Sequence, residues 1–351
     1  MTDITIISGF LGAGKTTLIK KLLEGPLRGK RVAVIENDYG DINIDGEFLK
    51  ETGVSMTEIM SGCICCTLVG DFSRALVDLK SSYDPDRIII EPSGVGKLTD
   101  VVRVVDSIAA DPANDMRLSS TLTVVDVTIF DMIYENFGEF YKDQIETAGT
   151  VYLSHTDDEE ADDEMIAETY DGVRRLNPEA AVITTPIDVL GAEAFLETVD
   201  GKTGRLRDFV RISLGGINVK AGGDRRQGGL LSGFRLPGEP EDPEADDDNR
   251  PIPASAMFET WSCETIRTFS KDEITAVLED FLNSEDCGRI IRAKGLVSEC
   301  ERSDGGSAHS WIHFDLTPGR IDVREGTPGT VGQICVIGTA LDTEKLDSLF
   351  K

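Results

Sequence analysis

Basic residues are scarce in this chain. Lys and Arg number 35 against 64 Asp and Glu, a formal net charge of -29 over 351 residues. A surface this acidic repels nucleic-acid phosphates and anionic membranes, so neither is an expected partner. Two clusters carry much of the charge, Asp157 to Glu164 and Glu239 to Asp248. They read as solvated surface or linker, with weak cation buffering as the alternative. Long apolar runs are missing too. No stretch reaches the roughly 18 apolar residues of a membrane-spanning helix. The run Ile4 to Leu11 is short and follows Asp3, where a secretory signal carries positive charge. A cytoplasmic location is therefore expected. The 7 cysteines are odd in number, and a disulfide framework is not expected.

What is present is a long alternation of strand and helix. Short β-branched runs at Ile4–Ser8, Arg31–Glu36, Arg87–Glu91, Thr121–Asp126, Thr150–Leu153 and Ala181–Thr185 read as strands buried on both faces. Helical stretches such as Lys15–Glu24 and Asp162–Leu176 separate them. The pattern predicts an α/β domain over residues 1–200, with a doubly wound, mostly parallel sheet. Residues 201–254 are rich in Gly, Arg, Pro and acid and predict an irregular connection. Over 255–351, Ser270 to Glu273 forms a capping box ahead of the apolar face Ile274, Val277, Leu278, Phe281 and Leu282. Strand-like runs follow at Arg289–Ile291, Ser310–Leu316, Arg320–Arg324 and Gln333–Gly338. Leu346, Leu349 and Phe350 suggest a last short helix. This reads as a smaller α+β domain.

The chemistry begins at Gly9-Phe-Leu-Gly-Ala-Gly14-Lys15-Thr16, which fits G-x-x-x-x-G-K-[ST] between a strand and a helix. In a P-loop the glycines let backbone N–H groups close on phosphates, and the helix N-terminus adds positive potential. Lys15 would reach the β- and γ-phosphates, and the Thr16 hydroxyl would ligate Mg²⁺. A second phosphate-side element is expected at the end of another strand. Arg87-Ile-Ile-Ile-Glu91-Pro-Ser-Gly94 supplies one. Glu91 would hold Mg²⁺ or orient the attacking water, and the Gly94 N–H would sense the γ-phosphate. The alternative is a plain strand-end turn. Val124-Val125-Asp126 is a weaker strand-end carboxylate. Asn37-Asp38-Tyr39-Gly40-Asp41 suits either a loop that orders around Mg²⁺ or an ordinary loop.

Gly62-Cys63-Ile64-Cys65-Cys66 is the least ordinary segment. Thiolates are soft ligands that favour Zn²⁺ over Mg²⁺. Three sulfurs so close converge only if the backbone turns, and a tetrahedral site then needs a fourth ligand, for which Asp38 is a candidate. Core cysteines or a redox pair are the alternatives. Cys335, in an apolar strand, reads as core. Strand alternation puts His309, Trp311 and His313 on one face, read as a surface stripe before a metal site.

With these motifs in this order the chain resembles the CobW-type family of metal-trafficking GTPases. The resemblance rests on Gly9–Thr17, Asn37 to Gly40, Cys63–Cys66, Glu91–Gly94, Val125-Asp126, Gln144-Ile145-Glu146-Thr147-Ala148 and Leu176-Asn177-Pro178. In the second domain it rests on Arg292-Ala293-Lys294-Gly295 and Val336-Ile337-Gly338. It implies a P-loop GTPase that couples hydrolysis to delivery of Zn²⁺, Co²⁺ or Ni²⁺ to an acceptor metalloprotein. Lys15, Glu91 and Asp38 are then the expected catalytic residues. Gly9, Gly12, Ala13, Gly14, Lys15, Thr16, Thr17, Gly94 and Asp157 are expected to bind the nucleotide. Cys63, Cys65, Cys66 and Asp38 would take the transition metal, and Thr16 and Glu91 would take Mg²⁺.

Three departures bear on this. Where the family carries the guanine motif N-K-x-D, Ser154-His155-Thr156-Asp157 stands. Asp157 can still pair with the guanine N1–H and N2 amino group, Ser154 is short for the usual Asn contacts, and His155 replaces a lysine stem, so a relaxed preference for GTP is expected. The loop acid is Asp38 rather than Glu. A His-rich tract is absent, with 3 His in all, which argues against bulk metal storage. No arginine finger is recognisable, although Arg28 and Lys97 are conceivable. Slow hydrolysis, accelerated by a partner or by self-association into a homodimer, is expected. The competing readings are a GTPase that assists metal insertion without carrying the metal, and a binding protein with a degenerate switch.

Overall fold

A computed structural model of the protein describes residues 1–36, 55–56, 69–201, 258–300, 310–326, 329 and 331–351. The expected connection over 201–254, apart from Gly201, lies outside them. So do the loop at 37–41, the cysteine cluster at 62–66, and His309.

The first sheet holds β1 (Thr2–Gly9), β2 (Val32–Glu36), β3 (Ser55–Met56), β4 (Arg87–Glu91), β5 (Met116–Asp126), β6 (Thr150–Ser154) and β7 (Ala181–Ile183). The strand order is β3-β2-β4-β1-β5-β6-β7, with every pairing parallel. β1 lies between β4 and β5, so the chain winds outward on both sides of the strand that leads into the Gly-rich turn. In such sheets ligands bind at the carboxyl ends of the strands near the point where the winding reverses.

Helices cover both faces, which is why the strands are apolar on both. One face packs Ile7, Val34 and Val124 under α1 (Lys15–Glu24) and the chain after β7, α6 (Ile187–Leu190) and α7 (Ala192–Val199). Leu18, Ile19 and Phe195 fill that layer. Its partner face packs Ile4, Ile6 and Ile90 under α2 (Val69–Tyr83), α3 (Leu98–Ala109), α4 (Phe130–Glu146) and α5 (Asp163–Leu176). The doubly wound parallel architecture read from the sequence is the one observed.

The second sheet holds β8 (Glu259–Thr265), β9 (Thr268–Phe269), β10 (Arg289–Glu299), β11 (Trp311–Thr317), β12 (Arg320–Gly326) and β13 (Gly332–Thr339). Its order is β12-β11-β10-β13-β8, antiparallel throughout, with the short β9 added parallel to β10. Two helices join it, α8 (Lys271–Asn283) and α9 (Thr343–Phe350). The Glu273 N–H donates to Ser270 Oγ at 3.1 Å, the cap its sequence promised. On one face Val297, Phe314, Leu316 and Val336 pack with Ile274, Leu278 and Phe350 of the helices.

The other face carries charge. Lys294 stands opposite Asp315 and Asp315 opposite Asp322, while His313 stands opposite Arg324. Period-two alternation adds Arg292 beside Lys294 on that face. This polar face is turned toward the first sheet's Gly-rich turn. Aromatic packing fixes the approach. Phe10 stacks on Phe137 at 5.2 Å between ring centroids, and Phe258 lies 5.7 Å from Phe137. Phe258, Ile291, Cys335 and Ile337 join the core of the first sheet.

Candidate functional site

The Gly-rich turn leaves β1 at Gly9 and enters α1 at Lys15, with Gly14 as the N-cap in a left-handed conformation. Lys15 is 6% exposed. Its Nζ donates to the Phe10 carbonyl at 3.0 Å and lies 3.9 Å from Glu91 Oε1. Thr16 Oγ1 donates to the Glu91 carboxylate at 3.3 and 3.4 Å. The two sequence elements expected to meet, turn and strand end, are therefore in contact through a lysine, a hydroxyl and a carboxylate.

These residues open on a cavity of about 210 Å³. Gly12, Gly14, Lys15, Thr16, Thr17 and Glu91 form one wall, and Arg292, Lys294, His313, Asp315 and Arg324 of the second sheet form the other. Ligand pockets commonly run to about 300–1,000 Å³, so this one is small. Gly9, Ala13 and Gly94 support the wall rather than line it. A Cβ on Gly94 would stand 2.8 Å from the Leu11 backbone nitrogen, so the turn after β4 touches the Gly-rich turn directly. Buried Gln144 holds that turn from α4, its Nε2 donating to the Gly94 and Gly96 carbonyls at 3.1 and 2.8 Å. Asn177 works similarly. Its Nδ2 donates to the carbonyls of Ile145 and Ala148 at 2.8 and 2.9 Å, fixing the end of α4.

The segment after β6 lies beside this cavity. The Ser154 hydroxyl donates to the Ala13 carbonyl at 2.8 Å. A serine expected to be too short for the contacts of an asparagine thus does reach the turn, because β6 brings its backbone close. His155 adopts a left-handed φ of 61°. Its Nδ1 is 2.9 Å from Asp158 Oδ2, and its Nε2 is 3.6 Å from Asp126 Oδ2 and 3.1 Å from Arg320 Nη1. Arg320 also pairs with Asp158. The second sheet therefore grips this loop through one arginine. Asp157 is exposed at its tip.

Several expectations change. Asp126 is buried and caps the following turn, accepting from Thr128 N at 2.9 Å, so it is no second cavity carboxylate. Lys97 pairs with Glu139 over the Phe140 ring and does not line the cavity. Trp311 and His313 do share a face, but it is the one turned to the cavity, not a surface stripe. The cavity cations of the second sheet were legible as R-x-K and R-x-D-x-R alternation. Nothing local said which surface they would face. Among the described cysteines, Cys335 is core as expected. Burial pushes the Cys263 thiol up to about 11, which keeps it protonated and poorly suited to a metal. The loop acid Asp38 and the Cys63, Cys65 and Cys66 cluster lie outside the described residues.

Gly12 shows how closely the two sheets meet. Its φ is +81°, and a Cβ there would stand 2.5 Å from Thr317 Cγ2. Gly12→Ala is expected to cost about 1–3 kcal/mol through backbone strain alone. It should also lower nucleotide affinity, because the turn must move off the second sheet. Adding Thr317→Ala should relieve the clash only in part, because the Cβ that alanine keeps would still stand 2.7 Å away. Urea unfolding of the single and double variants measures both, and a Gly12→Ala protein as stable as the parent would contradict the argument.

Residues 3–184, more than half of the chain, match the CobW/HypB/UreG nucleotide-binding domain. A zinc chaperone CobW of Sinorhizobium sp is 34% identical over 179 residues, which cover 44% of this chain and 50% of that protein. The zinc chaperone YeiR of Escherichia coli K12 is 32% identical over 157 residues, covering 45% and 47%. The chain thus spans about half the length of the curated relatives it matches. The solved Zn(II)-bound YjiA GTPase of E. coli aligns over 99% of this chain and 97% of its own at 18% identity, with a TM-score of 0.39. By the match across its nucleotide-binding half, the chain belongs to the CobW/HypB/UreG nucleotide-binding domain family.

Proposed function

We propose that the chain is a Mg²⁺-dependent GTPase that carries a transition metal and delivers it to an acceptor metalloprotein. The observation that carries this is the cavity where Lys15, Thr16 and Glu91 converge. Lys15 would bind the β- and γ-phosphate oxygens, with backbone N–H groups from Gly9 to Thr17 around them. The Gly94 N–H would add a γ-phosphate contact. A hydroxyl and a carboxylate in contact are hard oxygen donors, the set Mg²⁺ prefers, so Thr16 and Glu91 fit it. When bound, Mg²⁺ neutralises charge on the phosphate oxygens. Glu91, held by Thr16 and near Lys15, would hold or orient water on that side, with Asp38 as the loop acid. Asp157, exposed at the loop tip, would accept from the guanine N1–H and N2 amino group.

The metal is cargo. Cys63, Cys65 and Cys66, with Asp38, are proposed to hold it on the chemistry of the sequence: three soft thiolates and a carboxylate suit Zn²⁺ over Mg²⁺. The two relatives named zinc chaperones support zinc as the first metal to test. In chain order the cluster falls between the 37–41 loop and the Glu91–Gly94 turn, the two elements expected to respond to the γ-phosphate.

The test is linkage. Zn²⁺ and Co²⁺ are titrated into the protein with GDP and with a non-hydrolysable GTP analogue. Metal affinity should differ between the two by about tenfold, and the metal should change nucleotide affinity by the same factor. Replacing all three cysteines by serine should remove stoichiometric binding. Equal affinities in both states, or undiminished binding in the triple variant, would defeat the carrier function. GTP turnover that survives without any metal binding would leave a GTPase that assists insertion only.

A further inference from the structure

We propose that Arg320 is a positioning residue for base recognition: from the second sheet it holds the loop after β6 so that Asp157 meets the guanine edge. The inference rests on Asp157 being the guanine acceptor, and goes beyond it in giving the second domain a part in choosing the base.

The loop has few anchors of its own. The Ser154 and Thr156 hydroxyls donate to the Ala13 and Thr184 carbonyls at 2.8 and 3.2 Å. Between them His155 stands at a φ of 61°, a left-handed conformation that a residue with a Cβ keeps when its surroundings hold it. Four acids in a row follow, Asp157 to Glu160, and they repel one another. Such a run spreads into water unless a cation gathers it.

Arg320 is that cation. Its Nη2 pairs with Asp158 and lies 3.7 Å from Glu160 Oε2, and its Nη1 lies 3.9 Å from Asp126 Oδ2. Among the described residues, no other Lys or Arg pairs with these three carboxylates. The same guanidinium meets the His155 ring, 3.1 Å from Nε2, while Nδ1 is 2.9 Å from Asp158. His155 and Asp158 bracket Asp157 in the chain. One side chain of the other sheet therefore holds both ends of the loop tip and leaves Asp157 itself exposed.

Arg320 also has a stiff support. Thr317 and Arg320 face each other across the β11–β12 turn, with Pro318-Gly319 between them. Proline fixes its own φ, and Gly319 takes a φ of +79°, as the next position of a type II turn requires. The turn is seated against the first domain at two points. A Cβ on Gly12 would meet Thr317, and one on Gly319 would stand 3.9 Å from Ile129, in the turn that Asp126 caps. One hairpin thus touches the Gly-rich turn and, through Arg320, the loop that carries Asp157. The place of Asp157 relative to the Gly-rich turn is set by that hairpin.

The experiment compares affinities of the full chain for GDP and for inosine diphosphate, both with Mg²⁺, by calorimetry. Inosine lacks the N2 amino group of guanosine, so the ratio of the two reads half of the Asp157 contact and leaves out the phosphates. The parent should favour GDP by about fivefold, the scale of one hydrogen bond. Arg320→Gln should bring the ratio below about twofold, because a loop no longer held in place aims its acceptor poorly. Asp157→Ala should bring it near unity, and adding Arg320→Gln should change it no further, since both act through one contact. A ratio kept in Arg320→Gln, with both nucleotides unchanged or both weakened equally, would overturn the inference while Asp157→Ala still abolished the preference. A parent ratio near unity, or an undiminished one in Asp157→Ala, would instead overturn Asp157 as the acceptor and the inference with it. GDP binding itself reports that a variant is folded. Should Arg320→Gln fail that check, Asp158→Asn decides, since it releases the same guanidinium from the loop side. A fall in its ratio supports the inference, and an unchanged ratio overturns it.

Discussion

Lys15→Ala is expected to lower Mg²⁺-dependent GTP turnover by about two to three orders of magnitude, the scale on which a single preorganised donor to a developing charge acts. The ammonium is buried, and it meets the Phe10 carbonyl at 3.0 Å and Glu91 at 3.9 Å. Held there before the nucleotide arrives, it needs little rearrangement to act on phosphoryl oxygens. Removing it also takes a cation from beside Glu91, so anion binding weakens as well. Single-turnover measurements at saturating GTP separate the two effects. Lys15→Arg should not restore the rate, since a planar guanidinium cannot replace a compact point charge in this space. Unimpaired turnover in Lys15→Ala would show that catalysis lies elsewhere.

The half of this site that could be read in the sequence is the half built from local chemistry. A phosphate-binding turn must follow a strand, spend glycines and open a helix, so β1, the turn and α1 are specified within about 24 consecutive residues. β4 was legible for a related reason. Arg87–Glu91 is a run of three isoleucines buried on both faces and ended by an acid and a proline, and its observed bounds are the expected ones. The second sheet was harder. β10 runs from Arg289 to Glu299, but only its first three residues were read as strand. Lys294 and Gly295 interrupt the apolar pattern because one face of this strand meets a charged cavity instead of a core. β8 was missed outright. Its inward residues Trp261, Cys263 and Thr265 alternate with polar ones, and they follow directly on a segment read as linker.

What local pattern could not carry was the pairing of distant walls. Lys294 and Lys15 are almost the whole described chain apart in sequence, yet line one cavity. A charged residue on a strand ordinarily faces water, so its burial against this cavity appears only once the two sheets are packed. The same holds for Ser154. Judged by side-chain length it looked inadequate, but its reach is set by where β6 places the backbone beside Ala13.

A second large effect is expected far from the chemistry, at the amino end of the first sheet. Arg87 opens β4 and forks onto Asp200, with Nη1 and Nη2 at 2.8 and 2.7 Å from the two carboxylate oxygens. The side chains are 7% and 4% exposed. Arg87 also donates to Thr5 Oγ1 at 2.7 Å and has Asp3 at 3.9 Å. The pair fastens the residue that closes α7 to the middle of the sheet. Among the described residues, Asp200→Ala leaves the buried guanidinium only the more distant Asp3 as counter-charge. Breaking such a pair from one side costs about 3–5 kcal/mol. For a domain of this size that corresponds to a melting temperature lower by about 6–20 °C. Replacing both members by apolar residues of similar volume, Arg87→Met with Asp200→Leu, should recover much of the loss, because no charge is then stranded. GTP turnover measured well below the melting transition should be nearly unchanged in Asp200→Ala, since Glu91 and the Gly-rich turn lie at the opposite ends of these strands. A loss under about 1 kcal/mol would mean that the guanidinium finds water or another partner as readily as it finds Asp200.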